Sequence, residues 1–395
     1  MEKFKAESRE KNSLYKNFSL GPTLPEGTSS LENYTNLSSI KEFLTESFTD
    51  PTTEARIISM IESWMNCPKE IQPISQMRAI LDEAREIPAS DERTRVMNTI
   101  VRTLGQPETL ATYLDMIRDS ATRYGTPEHE LCKDKLQNVR MHSIYGWCGN
   151  TLLSESHSES VHETYTSDPE LGKKLGNKPA AWNLTMHIWQ PNLGAEGFSI
   201  GNRLPAGTIL EPPHSHPFNF VSKIVKGSIH QNIYVQEPTS DSELTGGGTP
   251  DDGYYSEEPL EHVDGVWPPH DFSEPRNLKT KERRVQLSEG DSYYMPCNWI
   301  HDVEVDGNLA ATRPTISLFL SSEYLVMPHV YMTEQMVDYH NQNPDIKETG
   351  FPISEDAWHN KLKLLSAYLR GESETLDLNE VVNHKGTYAF FNVNN

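Results

Sequence analysis

The chain is poor in cysteine: only Cys67, Cys132, Cys148 and Cys297 occur in 395 residues, and no two form a Cys-x-x-Cys pair. A disulfide framework or a structural zinc knuckle needs closely spaced thiols, so neither organises this protein, and reduced thiols are the expectation. Long apolar runs are also missing. No stretch approaches the roughly 20 apolar residues that a membrane helix requires, mean hydropathy is −0.63, and the polar amino terminus lacks the apolar core of a secretory leader. We therefore expect a soluble, cytoplasmic protein. Basic residues are scarce beside acidic ones, 35 Lys and Arg against 57 Asp and Glu, for a net charge of −22. Like charge repels, so neither a nucleic-acid backbone nor an anionic membrane is expected as a partner. A small-molecule substrate is.

What is present suffices for a sizeable core. Residues 1–36 are polar and read as a flexible arm. From 37 to 141 the apolar period is helical: Ile57, Ile58, Ile61, Trp64 and Met65 share one stripe, and Met77, Ile80, Leu81 and Ala84 a second. Val96, Met97, Ile100, Val101 and Leu104 form a third, and Leu110, Tyr113, Leu114 and Ile117 a fourth, entered through Pro107 and Glu108. The Glu-x-x-His ligands of a di-iron bundle are absent from this region, so it reads as a packing or dimerisation module. Its stripes make a homodimer reasonable. Residues 142–179 read as an irregular connection.

From about 180 the period changes to two. Trp182, Leu184, Met186 and Ile188 fall on one face of a strand, with His187 and Trp189 on the other. His187 reads as a group behind the site or, somewhat better, as an exposed strand residue. A long acidic insertion, 237–275, interrupts the β region and reads as a lid or a loose surface loop. The region ends near 332, and residues 333–395 form a carboxy-terminal extension in which Trp358, Leu362, Leu365 and Leu369 share a helical face.

The candidate chemistry lies in the β region. His214 and His216 are two apart, so in a strand both project to one side, and neutral imidazole is the commonest ligand for a transition metal. His301 is a candidate third ligand. Arg203 is a candidate clamp for a substrate carboxylate, because its planar fork matches that group. His230 and Tyr234 could orient a ligand or donate a proton. Tyr293 and Tyr294 face opposite ways, so only one can look into the cavity, and Tyr294 is the candidate.

The frames around these histidines carry a resemblance. Gly207, His214, His216 and Gly227 match the first motif of the cupin superfamily, with Gly207 one residue further from the pair than usual. Gly290, Pro296 and His301 match its second, with Asn298 and Val305 replacing a glycine and an asparagine. Phe220 stands where the family has a glutamate ligand. Three histidines without that carboxylate resemble the thiol dioxygenase, cysteine dioxygenase-like branch. That branch's histidine and tyrosine are replaced by Phe319 and Ser321. The resemblance covers about 180–332 and implies a single cupin-type antiparallel β-barrel, or jelly roll; with the amino-terminal helical region and the carboxy-terminal helix read from their periods, the expected fold class is α+β.

For activity it implies a metal-dependent oxygenase with His214, His216 and His301 as ligands and dioxygen as co-substrate. Iron(II) suits an imidazole-rich site with open positions; zinc, manganese and nickel are the alternatives. The expected substrate is small, amino-acid-like or heteroatom-bearing, thiols included. A non-catalytic metal- or ligand-binding cupin and a zinc-dependent isomerase or hydrolase are the competing readings.

Overall fold

The computed structural model describes residues 51–66, 73–85, 91–137, 140–144, 147–151, 154–156, 182–191, 208–216, 218–236, 254–259, 276–297, 299–321, 329–332 and 355–378. Among the described residues five helices come first: α1 (Pro51–Met65), α2 (Pro73–Arg85), α3 (Asp91–Leu104), α4 (Pro107–Ala121) and α5 (Pro127–Gln137). The expected stripes become their buried faces. Ile57, Ile61, Trp64, Met77, Leu81, Ile100, Val101, Tyr113 and Leu114 join one continuous core, while Ile58 and Met65 stay half-buried at its edge. Proline opens α4, where its missing N–H would have no helical partner in any case.

Helix α2 has no acidic residue in its own first turn. The compensation comes from α5. Buried Glu128 accepts from the Ile74 N–H at 2.9 Å and from the Ser75 N–H and Oγ at 3.3 and 2.8 Å. A carboxylate at the positive end of α2 thus satisfies donors that the helix leaves open.

Thirteen strands follow: β1 (Arg140–Ile144), β2 (Trp147–Thr151), β3 (Ser154–Ser156), β4 (Asn183–Pro191), β5 (Thr208–His214), β6 (Phe220–Lys226), β7 (Ser228–Gln236), β8 (Tyr254–Pro259), β9 (Arg276–Ser288), β10 (Ser292–Met295), β11 (Ile300–Asp306), β12 (Thr315–Ser321) and β13 (His329–Met332). A short helix, α6 (Gly307–Ala310), lies between β11 and β12, and α7 (Glu355–Leu369) lies in the carboxy-terminal extension. The β structure therefore begins about forty residues earlier than 180. Residues read as irregular supply β1 to β3, which pair on one another and on β4. Their short polar segments carry no alternation of their own, and pairing with β4 orders them.

The strands do not form the single barrel expected. They divide into two antiparallel sheets with no pairing between them among the described residues. The first has seven strands, in the order β1-β2-β4-β12-β6-β10 with β3 beside β4. The second pairs in the order β11-β5-β13-β8-β9-β7, with β7 pairing back on β11.

The first sheet is buried on both faces, which its sequence shows as two interleaved apolar sets. Trp182, Leu184, Met186, Ile188, Val221, Val225, Ile316, Leu318 and Leu320 join the helical core. The alternate residues, Trp189, Phe220, Ile224 and Phe319, join a second core with Ile229, Ile233, Leu287, Val303 and Val305 of the second sheet. The helices thus cover the outer face of the first sheet. Trp182 Nε1 donates to Asp82 on α2 at 2.9 Å, and Lys223 reaches from β6 to the Arg102 carbonyl at 3.1 Å. Burial holds the Lys223 amine down at about 8.

Helix α7 closes the layer against α4. Ser366 Oγ donates to the Ala111 carbonyl at 3.3 Å, and Arg370 bridges Glu108 and Asp115 at 3.2 and 2.6 Å. Beyond it, Gln190 of β4 donates to the Leu376 and Ala311 carbonyls at 2.7 and 3.0 Å and accepts from Leu378 N–H at 3.0 Å. One buried amide therefore fastens the extension to the first sheet. Gly227 makes the tight turn from β6 to β7 at φ 76°, where a Cβ would meet Thr315 Oγ1 at 2.5 Å. Gly290, at φ 92°, turns β9 into β10.

Candidate metal centre

His214, His216 and His301 come together between the two sheets. His214 is the last residue of β5, and β11 lays His301 directly opposite it in register. His216 lies just past the strand end. The two rings nevertheless meet on one side of the β5 end. Ring centroids lie 4.8 Å apart for His214 and His216, 4.6 Å for His214 and His301, and 5.1 Å for His216 and His301.

The nearest nitrogens are His216 Nε2 and His301 Nε2, at 2.9 Å. Two nitrogens about 2.1 Å from one ion sit at this spacing when they subtend nearly a right angle; a tetrahedral angle spreads them to about 3.4 Å. The same 2.9 Å is that of a hydrogen bond between the two rings, which holds both nitrogens within reach of one ion. All three candidate ligand atoms lie within 4.8 Å of one another, so holding one ion requires the widest pair to close by up to about 1.4–1.8 Å.

The protonation state fits as well. Burial, with the neighbouring His214, His301 and His187 adding repulsion, holds His216 well below the ordinary histidine value; burial with His214 and His187 does the same for His301. Neutral imidazole is the ligating form. His301 Nδ1 is buried without a hydrogen-bond partner among the described residues.

Aromatic rings wall the triad. His216 stacks on Phe218 at 5.5 Å and 25°, and Phe220 meets it edge-on at 4.7 Å. Phe319 packs on Phe220 at 5.6 Å and on His187 at 4.8 Å. Phe220 thus puts an apolar ring beside the histidines where a carboxylate ligand was in question. Among the described residues the ligand set is three histidines and no acid.

The other candidates lie elsewhere. Tyr234 and His230 are on the side of β7 away from His301. The Tyr234 hydroxyl donates to Asp302 Oδ2 at 2.6 Å, within a buried cluster in which Asn232 also donates to Asp302 and Arg284 pairs with Glu304 at 3.1 Å. Burial pushes the Asp302 carboxyl up to about 6, against the lowering effect of the Tyr234 and Asn232 hydrogen bonds. Half-buried His230 pairs in register with Glu304 on the same outer side. Tyr294 also turns away, into the helical core; Tyr293 faces the rings, 6.0 Å from Phe220. Arg203 lies outside the described residues.

His187 faces inward rather than standing exposed on its strand. It is half-buried, with its ring 5.6 Å from Trp189 and near enough to repel charge on His216 and His301. The alternation of β4 carried this signal. One inward polar residue escaped the sequence reading altogether: Gln231, which interrupts the apolar face of β7 between Ile229 and Ile233.

No family model matches the sequence, and no curated protein matches it. Solved structures show faint likeness. An 11S globulin from Wrightia tinctoria is 10% identical over 61% of this chain and 40% of its own, with a TM-score of 0.23. A hydroquinone 1,2-dioxygenase is 14% identical over 35% of this chain and 56% of its own, at 0.16. An L-ribose isomerase from Acinetobacter sp. DL28 is 15% identical over 54% and 80%, at 0.24. The chain thus spans 40% of the globulin's length and 56% of the dioxygenase's. Likeness at this level assigns neither family nor reaction. The site's own residues carry the argument.

Proposed function

We propose that the protein is a cupin-type, non-haem iron(II)-dependent oxygenase that uses dioxygen to oxidise a small heteroatom-bearing compound. The observation that carries this reading is the nitrogen-to-nitrogen approach of His216 and His301 at 2.9 Å beside His214, with no carboxylate in the group. Iron(II) in such a site supplies redox activation of dioxygen, as zinc would supply polarisation of a substrate oxygen.

The chain's own contribution is positioning and exclusion. Burial and mutual repulsion keep the imidazoles neutral and able to ligate. Pairing of β5 with β11 sets His214 against His301 before any ion arrives, which reduces the ordering that binding must impose. Phe218, Phe220 and Phe319 keep water from one flank and confine what can approach. Three neutral ligands leave the cation's charge uncompensated, which suits an anionic or strongly polar substrate group. Tyr234, His230 and Tyr294 all face away, and among the described residues beside the triad there is no carboxylate, only histidine and Tyr293 to carry a proton. This favours oxygen chemistry, or metal binding without catalysis, over a hydrolase or isomerase.

The deciding experiment combines elemental analysis of purified wild type with His214→Ala, His216→Ala and His301→Ala, then oxygen uptake by iron-loaded wild type across a panel of thiols, amino acids and hydroxylated aromatics. Stoichiometric iron lost in each variant, with substrate-triggered oxygen consumption, is the expected result. Iron that survives the loss of His301 sinks the site. Iron binding without oxygen uptake on any substrate leaves the non-catalytic reading.

A further inference from the structure

Gln231 carries hydrogen-bonding capacity that no described residue meets. Strand alternation turns it to the same side of β7 as Ile229 and Ile233. Those two isoleucines pack in the interior with Phe218, Phe220 and Phe319, and Ile233 is the register partner of His301. Gln231 is 0% exposed, and neither its amide oxygen nor its nitrogen meets a hydrogen-bond partner among the described residues.

A leucine or methionine there would avoid the cost of burying a bare amide. On the other sheet, Ser317 shares the inward side of β12 with Phe319 and pairs in register with His187. It is 1% exposed, and its Oγ likewise has no partner. The buried charged side chains of these strands turn elsewhere: Lys223 to Arg102, Asp302 and Glu304 to the outer cluster. What faces the interior is uncharged hydrogen-bonding capacity among aromatic rings.

We propose that Gln231, together with Ser317, recognises a neutral polar end of the ligand at the histidine site, and that this ligand is a ring-bearing compound with a hydroxyl or carbonyl group. The amide supplies two donors and an acceptor, and the hydroxyl one of each. The surrounding rings take a flat partner edge-on or stacked. The inference rests on the histidine site as the ligand's location and requires nothing of the oxygen chemistry. Stability given up at a buried polar group is the usual cost of a binding function.

The test uses full-length wild type, Gln231→Met and Ser317→Ala, each metal-free and iron(II)-loaded under anaerobic conditions. Phenol and benzene are the probes, the same ring with and without a hydroxyl, with binding followed by ligand-detected NMR. Wild type should favour phenol about five- to tenfold, the worth of one hydrogen bond. In Gln231→Met the preference should vanish while the melting temperature holds or rises, because the bare amide is gone. Ser317→Ala should weaken the preference without lowering the melting temperature. Wild type that does not discriminate, or a Gln231→Met protein that melts lower and still favours phenol, overturns the inference. If no metal binds but metal-free protein shows the Gln231-dependent preference, the metal reading falls and the recognition role stands. With stoichiometric metal and a preference untouched by Gln231→Met, the recognition role alone falls.

Discussion

His216 and His301 stand nitrogen to nitrogen at 2.9 Å across 85 residues of sequence. Without an ion, one nitrogen must donate a proton and the other accept it, so the pair is held together only while at least one ring is neutral. The site's response to pH and to metal follows from that.

Acid should destabilise the metal-free protein. Both imidazoles lie well below 6.5 in the folded state, chiefly through burial, so below about pH 6.5 the unfolded chain takes up protons that the folded site refuses. Stability therefore falls as pH drops through that window. Asp302 acts oppositely: its folded value of about 6, against 3.8, makes the folded state take up a proton first. Two histidines against one carboxyl leave roughly one proton taken up on unfolding, about 1.4 kcal/mol per pH unit near pH 6. Urea denaturation at pH 7, 6 and 5 measures it, and a flat or rising stability contradicts it.

Metal should stabilise the fold through the same rings. An ion that binds only the folded state adds about 2.7 kcal/mol when present at a hundred times its dissociation constant. Iron(II) or zinc added to chelator-treated protein should raise the melting temperature, and chelator should reverse the rise. His301→Ala should show no rise.

Tyr234→Phe should cost stability and leave metal binding intact. Its hydroxyl donates to buried Asp302 at 2.6 Å on the outer side of β11, and a hydrogen bond to a charged group contributes about 1.5–3 kcal/mol. The loss should be larger at pH 7.5, where Asp302 is ionised, than at pH 5. Unchanged stability with lost oxygen uptake would instead make Tyr234 a group at the reacting atoms.

Glu128→Ala should destabilise the helical layer. It removes the carboxylate that holds the Ile74 and Ser75 donors at the start of α2 and leaves them buried without that partner. The expected cost is about 3 kcal/mol, read by denaturant unfolding. A loss under 1 kcal/mol would mean that water replaces the carboxylate.

The helical stripes and the alternation of β4 were legible because each is a local period read against one buried side. Leu184, Met186 and Ile188 had to oppose His187 and Trp189 whatever they packed on. Tyr293 and Tyr294 mark the limit of that logic: alternation says that they face apart, and only the placement of helices on one side says which of them meets the histidines. For β1 to β3 the sequence is silent, because polar strands are ordered by the neighbour that pairs with them. The outward turn of Tyr234 was open for the same reason, since its hydroxyl needs Asp302, 68 residues on.

By itself, then, the sequence determined the periods, the breaks and three histidines of the right kind at two places in the chain. It determined too that no carboxylate stands where Phe220 does. The tertiary structure decided that β5 and β11 lie side by side, which brings His301 to His214, and that the strands form two sheets with a shared interior. It also decided that Gln231 and Ser317 face that interior without hydrogen-bond partners among the described residues. Local periodicity fixes which side of an element a residue occupies, whereas the neighbour on that side is set by long-range pairing, which no local pattern encodes.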